Sequence, residues 1–79
     1  MNSIESVFHY AFVHSALTAK RTTLIERIAR YTAYIAADKA LIAKSDNAAR
    51  KYASRLRNHE AKLERFKQKL AQIEITLAA

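Results

Sequence analysis

The 79-residue sequence contains no glycine, no proline, no cysteine and no tryptophan. Because tight turns between β-strands depend on glycine and proline, their absence favours long helices joined by short polar links. Without cysteine the chain can form no disulfide and no thiolate metal site. The longest run without Asp, Glu, Lys or Arg covers residues 6–19 and includes two histidines, whereas a membrane span needs about 20 apolar residues. These absences predict a small all-α protein of the cytoplasm with no membrane span.

Positive charge is in excess and is unevenly distributed. The chain has 14 Lys and Arg against 7 Asp and Glu, a net charge of +7. Residues 48–79 hold eight of the cations and only three of the acids, so most of the excess lies in the last part of the chain. A concentrated excess of this kind indicates an anionic partner: a nucleic acid, an acidic protein surface or an anionic membrane surface.

The C-terminal part of the sequence has the pattern of one long helix with an apolar face. From residue 48 to residue 77 the large apolar side chains recur at alternating spacings of four and three, interrupted only by one histidine. This period is typical of a helix packed lengthwise against another helix. The positions on this face are Tyr52, Leu56, His59, Leu63, Phe66, Leu70, Ile73 and Leu77.

A second line at the same spacing runs beside that face and is almost entirely cationic. We call it the basic stripe; it consists of Lys51, Arg55, Asn58, Lys62, Arg65 and Lys69. The stripe would be about 27 Å long at a helical rise of about 1.5 Å per residue. Arg50 and Arg57 lie on an adjoining face. A face that only kept the protein soluble would carry both signs of charge, so we interpret these eight residues as a binding surface for an anionic partner.

The middle of the chain, Leu24–Lys44, has two regular lines of its own. One carries mainly large side chains and two polar ones: Leu24, Ile28, Tyr31, Ile35, Asp38 and Ile42. The other, on the opposite side, carries only alanine: Ala29, Ala33, Ala36, Ala40 and Ala43. Small side chains allow close approach of another helix, although alanine also has the highest helix propensity and could simply fill the helix. The regular spacing favours packing.

The N-terminal part predicts a short helix with a broad apolar face that includes Val7, Phe8 and Phe12. A face of this width should be buried against the same chain or against a second copy. Thr23 and Glu26 fit a capping box, which predicts a kink or turn near residues 19–23; one continuous helix is the alternative. The residues expected to pack on a second copy or a partner helix are Val7, Phe8, Phe12, Ala29, Ala33, Ala36 and Ala40.

The three polar residues at 45–47 predict a turn between antiparallel helices, with Asp46 or Asn47 as the helix cap. Pairing the two apolar faces across this turn places Tyr31 opposite His59 and Asp38 opposite Tyr52. It also places Arg21 opposite Leu70, a poor pair that favours a change of chain direction near Arg21.

The predicted fold is one all-α domain over residues 1–79, with helices near 3–19, 23–44 and 47–78. The last two form an antiparallel, coiled-coil-like hairpin, and the first is an additional N-terminal helix of a small bundle. Because a hairpin of this size cannot cover all the apolar faces, we expect a homodimer or docking on a larger complex. A monomeric three-helix bundle is the alternative.

Catalytic chemistry is not indicated. There is no glycine-rich phosphate loop and no H-E-x-x-H motif. His9 and His14 would lie about 140° apart around a helix, which makes them poor joint metal ligands. His59 with Tyr31 could transfer a proton, but a polar layer in the helix interface is the simpler interpretation. We therefore expect a protein that is not an enzyme and needs no cofactor.

The leading prediction is that the basic stripe binds nucleic acid through phosphate contacts, with little reading of base sequence. The alternative is a protein–protein adaptor or inhibitor, comparable in size to host-directed phage inhibitors, that docks on an acidic face of a nucleic-acid-handling complex. An interfacial membrane helix is disfavoured, because the first 19 residues contain no Lys or Arg to flank the apolar face.

Overall fold

The structure is a computed structural model that describes residues 3–79, and over that range it consists of two α-helices and a short link. Helix α1 is Ser3–Ile42 and helix α2 is Asp46–Ala78. The all-α prediction is confirmed. The two helices form a thin rod with Cα extents of 66 × 16 × 14 Å and a radius of gyration of 18.8 Å, against about 12 Å for a compact domain of this length.

Helix α1 runs without a break through the region where a kink was expected. The separate helices 3–19 and 23–44 are therefore wrong, and the alternative of one continuous helix holds. The hydroxyl of Thr23 donates to the carbonyl oxygen of Ala19 at 3.2 Å, and Thr22 bonds Thr18 in the same way. A threonine that bonds four residues back is accommodated in a helix interior, so Thr23 caps nothing.

The link between the helices is short and is closed by a serine cap. Ser45 has extended backbone angles, and its Oγ accepts a hydrogen bond from the backbone N–H of Ala48 at 3.1 Å. The predicted cap at Asp46 or Asn47 is therefore wrong by one or two residues. Serine is among the preferred N-cap residues because its oxygen satisfies one of the free N–H groups of the first turn.

The two helices are antiparallel: residues near the end of α1 contact the beginning of α2, and residues further back in α1 contact the end of α2. Near the link Asp38 contacts Arg55 and His59, and near the other end Arg21 forms a salt bridge with Glu74 at 3.4 Å. The pairing of Arg21 with Leu70 is thus replaced by an ion pair one helical turn further along α2, which removes the reason for a change of direction at Arg21. The expected neighbours Tyr31 and His59 do meet, with ring centroids 5.5 Å apart.

The interface buries little of the chain. Among the residues whose side chains are described, only Leu24, Ile35 and Asp38 are buried. Beyond the contact of Arg21 with Glu74, α1 continues past the end of α2, and every side chain from residue 4 to residue 16 is exposed. We call residues 4–16 the N-terminal overhang. Neither helix of the described range is long and apolar enough to span a membrane.

Candidate anion-binding flank

The buried polar side chain of the described residues is a carboxylate held by an arginine and a histidine from the facing helix. Asp38 is 1% exposed. Its Oδ1 accepts hydrogen bonds from two nitrogens of Arg55, Nε at 2.8 Å and Nη2 at 2.7 Å. Its Oδ2 accepts a hydrogen bond from Nδ1 of His59 at 2.6 Å. Both carboxylate oxygens are therefore satisfied by donors from α2.

This arrangement explains the ionisation of Asp38. Burial by itself raises the pKa of the carboxyl group, but the hydrogen bonds from His59 and Arg55 and their positive charge outweigh it and lower the pKa below its ordinary value of 3.8. Asp38 therefore remains an anion at neutral pH. The predicted partner of Asp38, Tyr52, is wrong for a physical reason: a phenol offers one donor, whereas the guanidinium and imidazole together satisfy both oxygens.

Aromatic rings from both helices pack around this ionic cluster. The ring of Tyr31 lies edge-on to Phe66 at 5.2 Å and to His59 at 5.5 Å, and Tyr34 contacts both Tyr31 at 5.2 Å and His59 at 5.3 Å. Such edge-to-face pairs stabilise an interface beyond the area they bury. They hold His59 beside Asp38 and leave Tyr34 half-exposed on the same side of the rod.

Cationic side chains lie over these rings. Lys62 Nζ lies 5.8 Å from the centroid of Tyr31, and Lys51 Nζ lies 5.4 Å from that of Tyr52. From α1, the guanidinium of Arg27 lies 5.8 Å from the ring centroid of Phe66. Cation–π contacts of this kind position a charged group while leaving its N–H donors free for another ligand.

Helix α1 contributes cations to the side of the rod that carries the basic stripe, which sequence reasoning missed. A surface groove of about 1070 Å³ between the helices is lined by Lys20 and Arg27 of α1 and by Lys69 of α2, with Leu24 and Ile73 among its apolar walls. Lys20 and Arg27 are seven residues apart and could have been recognised as a line flanking the apolar face of α1, because that spacing returns to the same side of a helix.

The basic stripe is exposed, but its members are not equivalent. Within residues 3–79, the salt bridges are those of Arg21 with Glu74 and of Asp38 with Arg55 and His59. Arg55 is thus committed to an internal carboxylate, although its side chain remains 48% exposed. The other predicted binding residues are exposed and form no salt bridge: Lys51, Asn58, Lys62, Arg65, Lys69, Arg50 and Arg57.

We call the resulting surface the basic flank. It combines the free cations of the stripe with the two cations that α1 adds beside the groove: Lys51, Lys62, Arg65, Lys69, Lys20 and Arg27.

The residues predicted to pack on a second copy or a partner helix are all exposed in the single chain. This holds for the apolar side chains of the N-terminal overhang and for the alanine line of α1 alike. Phe12 is 74% exposed and Phe8 is 70% exposed. The hairpin covers none of this set.

A second, smaller groove of about 340 Å³ lies over the ionic cluster and is lined by Tyr34, Ala37, Asp38, Arg55 and His59. Asp38 orients the imidazole here as an aspartate orients a catalytic histidine, but neither serine nor threonine lines the groove. Across the described part of the chain, no three His, Asp or Glu side chains lie close enough together to hold a metal ion.

Comparison of the chain with protein families, with curated proteins and with solved structures found no match. We therefore infer function from the geometry of the basic flank.

Proposed function

We propose that this protein binds nucleic acid, and that the basic flank contacts the phosphates of a duplex. One observation carries the proposal. The flank gathers cations from both helices, and Asp38, which lies between the helices beneath it, is already neutralised by Arg55 and His59. Within residues 3–79 the lysines and arginines of the flank form no salt bridge, and phosphate is the anion that such clusters bind.

The shape of the rod supports an extended backbone contact. On α2 the flank extends from Lys51 to Lys69, about 27 Å at a rise of about 1.5 Å per residue, a length equivalent to about eight base pairs at about 3.4 Å each. The lysines and the arginines would supply affinity without reading the sequence. Asn58 stands in the same line and could contact a base edge, so any sequence preference should depend on this residue.

The direct experiment is fluorescence anisotropy with a 30-base-pair duplex of mixed sequence, titrated at several salt concentrations. If about five phosphates are neutralised, log affinity should fall with log salt at a slope of about −4.5. A duplex RNA of the same sequence measured in parallel separates DNA from RNA binding. No binding to either duplex at about 50 mM salt would refute the nucleic-acid proposal.

A pair of matched variants tests the surface itself. Replacement of Lys62, Arg65 and Lys69 by glutamine removes three cations from the basic flank, and the same replacement of Arg30, Lys39 and Lys67 removes three exposed cations that belong neither to the flank nor to the predicted binding residues. The first variant should lower affinity at least tenfold and reduce the salt slope by about 2.7. The second should change both much less. Equal losses in the two variants would mean that net charge, and not this surface, governs binding.

An acidic protein partner is the second candidate, and the groove between the helices favours it. Cations stand there beside apolar walls formed by residues such as Leu24 and Ile73, a combination that suits an acidic amphipathic helix. In that case the protein is an adaptor or inhibitor that docks on a larger, nucleic-acid-handling complex. Recovery of partners from a host lysate with and without nuclease separates the candidates: nuclease-sensitive recovery supports nucleic acid, and a nuclease-resistant protein band supports the adaptor.

The protein acts as a binding protein and not as an enzyme, without a cofactor, and its compartment is the cytoplasm. It works as a homodimer or as part of a larger complex, since two exposed apolar regions of α1 are left outside the hairpin interface.

A further inference from the structure

One face of α1 is uncharged along its whole length, and the hairpin leaves it exposed. Eleven positions recur at spacings of three and four from one end of the helix to the other, on the side opposite the buried Leu24 and Ile35. All eleven are exposed and none is charged, although more than a quarter of the residues of the chain are charged. We call this the outer face; it consists of Ile4, Phe8, Ala11, Ser15, Thr18, Thr22, Ile25, Ala29, Ala33, Ala36 and Ala40.

The threonines of the outer face need no polar partner from outside. Thr18 Oγ1 donates to the carbonyl oxygen of His14 at 2.8 Å, and Thr22 Oγ1 donates to that of Thr18 at 3.2 Å. Their hydroxyl protons are used within α1, so burial of these side chains leaves no donor unsatisfied. The face can therefore be covered by an apolar surface at little polar cost.

The two ends of the outer face differ in side-chain size. The N-terminal end carries Ile4 and Phe8, of which Phe8 is 70% exposed, and the last four positions are all alanine. In an antiparallel pair of α1 helices whose facing residue numbers sum to about 47, Phe8 lies opposite Ala40, Ala11 opposite Ala36 and Thr18 opposite Ala29. Phe8 then meets a small side chain, and the small pair of Ala11 and Ala36 allows the two helices to approach closely. A parallel pair would place Phe8 against Phe8 and alanine against alanine.

The exposed area of the single chain is large enough for such a contact. The chain exposes 6124 Å², whereas a compact monomer of 9 kDa exposes about 4,900 Å². The excess, about 1,200 to 1,300 Å² per chain, would amount to about 2,500 Å² for two copies, which falls within the range of permanent homodimers. Each chain has a net charge of +7. Because the outer face is uncharged, an interface formed by it would not require the burial of charged side chains.

From these observations we infer that a second copy of this chain docks antiparallel on the outer face. The assembly is a four-helix dimer in which the two α1 helices form the centre and each α2 lies outside. This inference rests on the self-association part of the proposed function and is independent of nucleic-acid binding.

The mass of the full chain in solution is the first test. Light scattering or sedimentation at micromolar concentration should give about twice the chain mass of 9.0 kDa. The variant Ala36→Glu places a charge within the interface, opposite Ala11, and should raise the dimer dissociation constant at least tenfold, with helicity retained. The matched control Ala61→Glu makes the same change at an exposed position of α2 and should stay dimeric. A monomeric wild type would refute self-association, and a dimeric Ala36→Glu variant would refute this face.

The orientation is tested by cross-linking, since the chain has no cysteine of its own. Ala11→Cys and Ala36→Cys are prepared separately and treated with a short bis-maleimide, alone and as a mixture. The antiparallel arrangement predicts cross-linked dimers from the mixture only. Cross-linking of each variant with itself would indicate a parallel dimer and refute the arrangement while leaving self-association intact.

Discussion

His59 Nδ1 donates to Asp38 Oδ2 at 2.6 Å, and this bond joins the two helices across a separation of 21 residues in sequence. The same carboxylate binds Arg55 through its other oxygen. One buried anion therefore fixes the relative position of α1 and α2 and determines which cation of the basic stripe is no longer free.

The first prediction concerns the removal of this anion. Asp38→Asn keeps the shape of the side chain but leaves His59 and Arg55 without a charged acceptor in a part-buried position, which destabilises a fold more than the loss of a surface charge does. We expect a clearly lower midpoint of urea unfolding at fixed protein concentration. Glu60→Gln, which removes an exposed acid of α2 with no salt bridge, is the control and should leave the midpoint nearly unchanged. Equal midpoints for the two variants would mean that the cluster contributes nothing to stability.

The second prediction is the pH dependence of stability. Because the pKa of Asp38 is lower in the folded protein than its ordinary value of 3.8, the folded state favours the anion. The resulting stabilisation is complete above pH 3.8 and is lost as the pH falls below that value through the folded pKa. Urea unfolding followed from pH 6 to pH 2 should therefore show a loss of stability below pH 4 that is smaller in Asp38→Asn. Parallel curves for the two proteins would contradict this assignment.

The third prediction separates two arginines that sequence spacing treats as equivalent. Arg55→Gln should lower stability because it breaks the pair with Asp38, while Arg65→Gln should leave stability within about 0.5 kcal/mol of the wild type. For duplex binding the order should be reversed, with the larger loss of affinity in Arg65→Gln. Thermal unfolding and anisotropy on the same two variants provide the comparison. If Arg65→Gln proved the less stable variant, the assignment of roles would be wrong.

The fourth prediction concerns the cap of α2. Ser45→Ala removes the oxygen that accepts from the N–H of Ala48 and should cost about 1 kcal/mol of unfolding free energy. Ser54→Ala, an exposed substitution within α2, should have no such cost, since alanine has the higher helix propensity. A loss at position 54 as large as that at position 45 would indicate a general effect of serine removal.

The sequence was most informative where periodicity alone decides the structure. The expected helix 47–78 agrees with Asp46–Ala78 to within one residue, because an uninterrupted heptad pattern and a polar break determine both ends. The neighbours Tyr31 and His59 followed from the same pattern. The continuity of α1 was harder to predict, since Thr23 and Glu26 fit a capping box equally well in sequence, and only the bond of Thr23 to Ala19 distinguishes a helix interior from a helix start.

The heptad periodicity could not predict the roles of individual polar side chains. Arg55 belongs to the basic stripe by its position, yet its side chain is long enough to reach Asp38 across the interface, and helical spacing does not record where a flexible side chain points. The contribution of Lys20 and Arg27 to the basic flank depends on how α1 is placed against α2. The N-terminal overhang depends on the length of the link and on the contacts that align the two helices.

The antiparallel course of the two helices has a consequence for the order in which the chain folds. The contact of Asp38 with Arg55 closes a loop of only 17 residues, whereas that of Arg21 with Glu74 spans 53. Closing the longer loop first would cost about 1 kcal/mol more in chain entropy. Folding should therefore begin beside the Ser45 link, and the two helices should then pair progressively toward the end that carries the N-terminal overhang. Mutations near Asp38 should slow folding, and mutations near Arg21 should mainly accelerate unfolding.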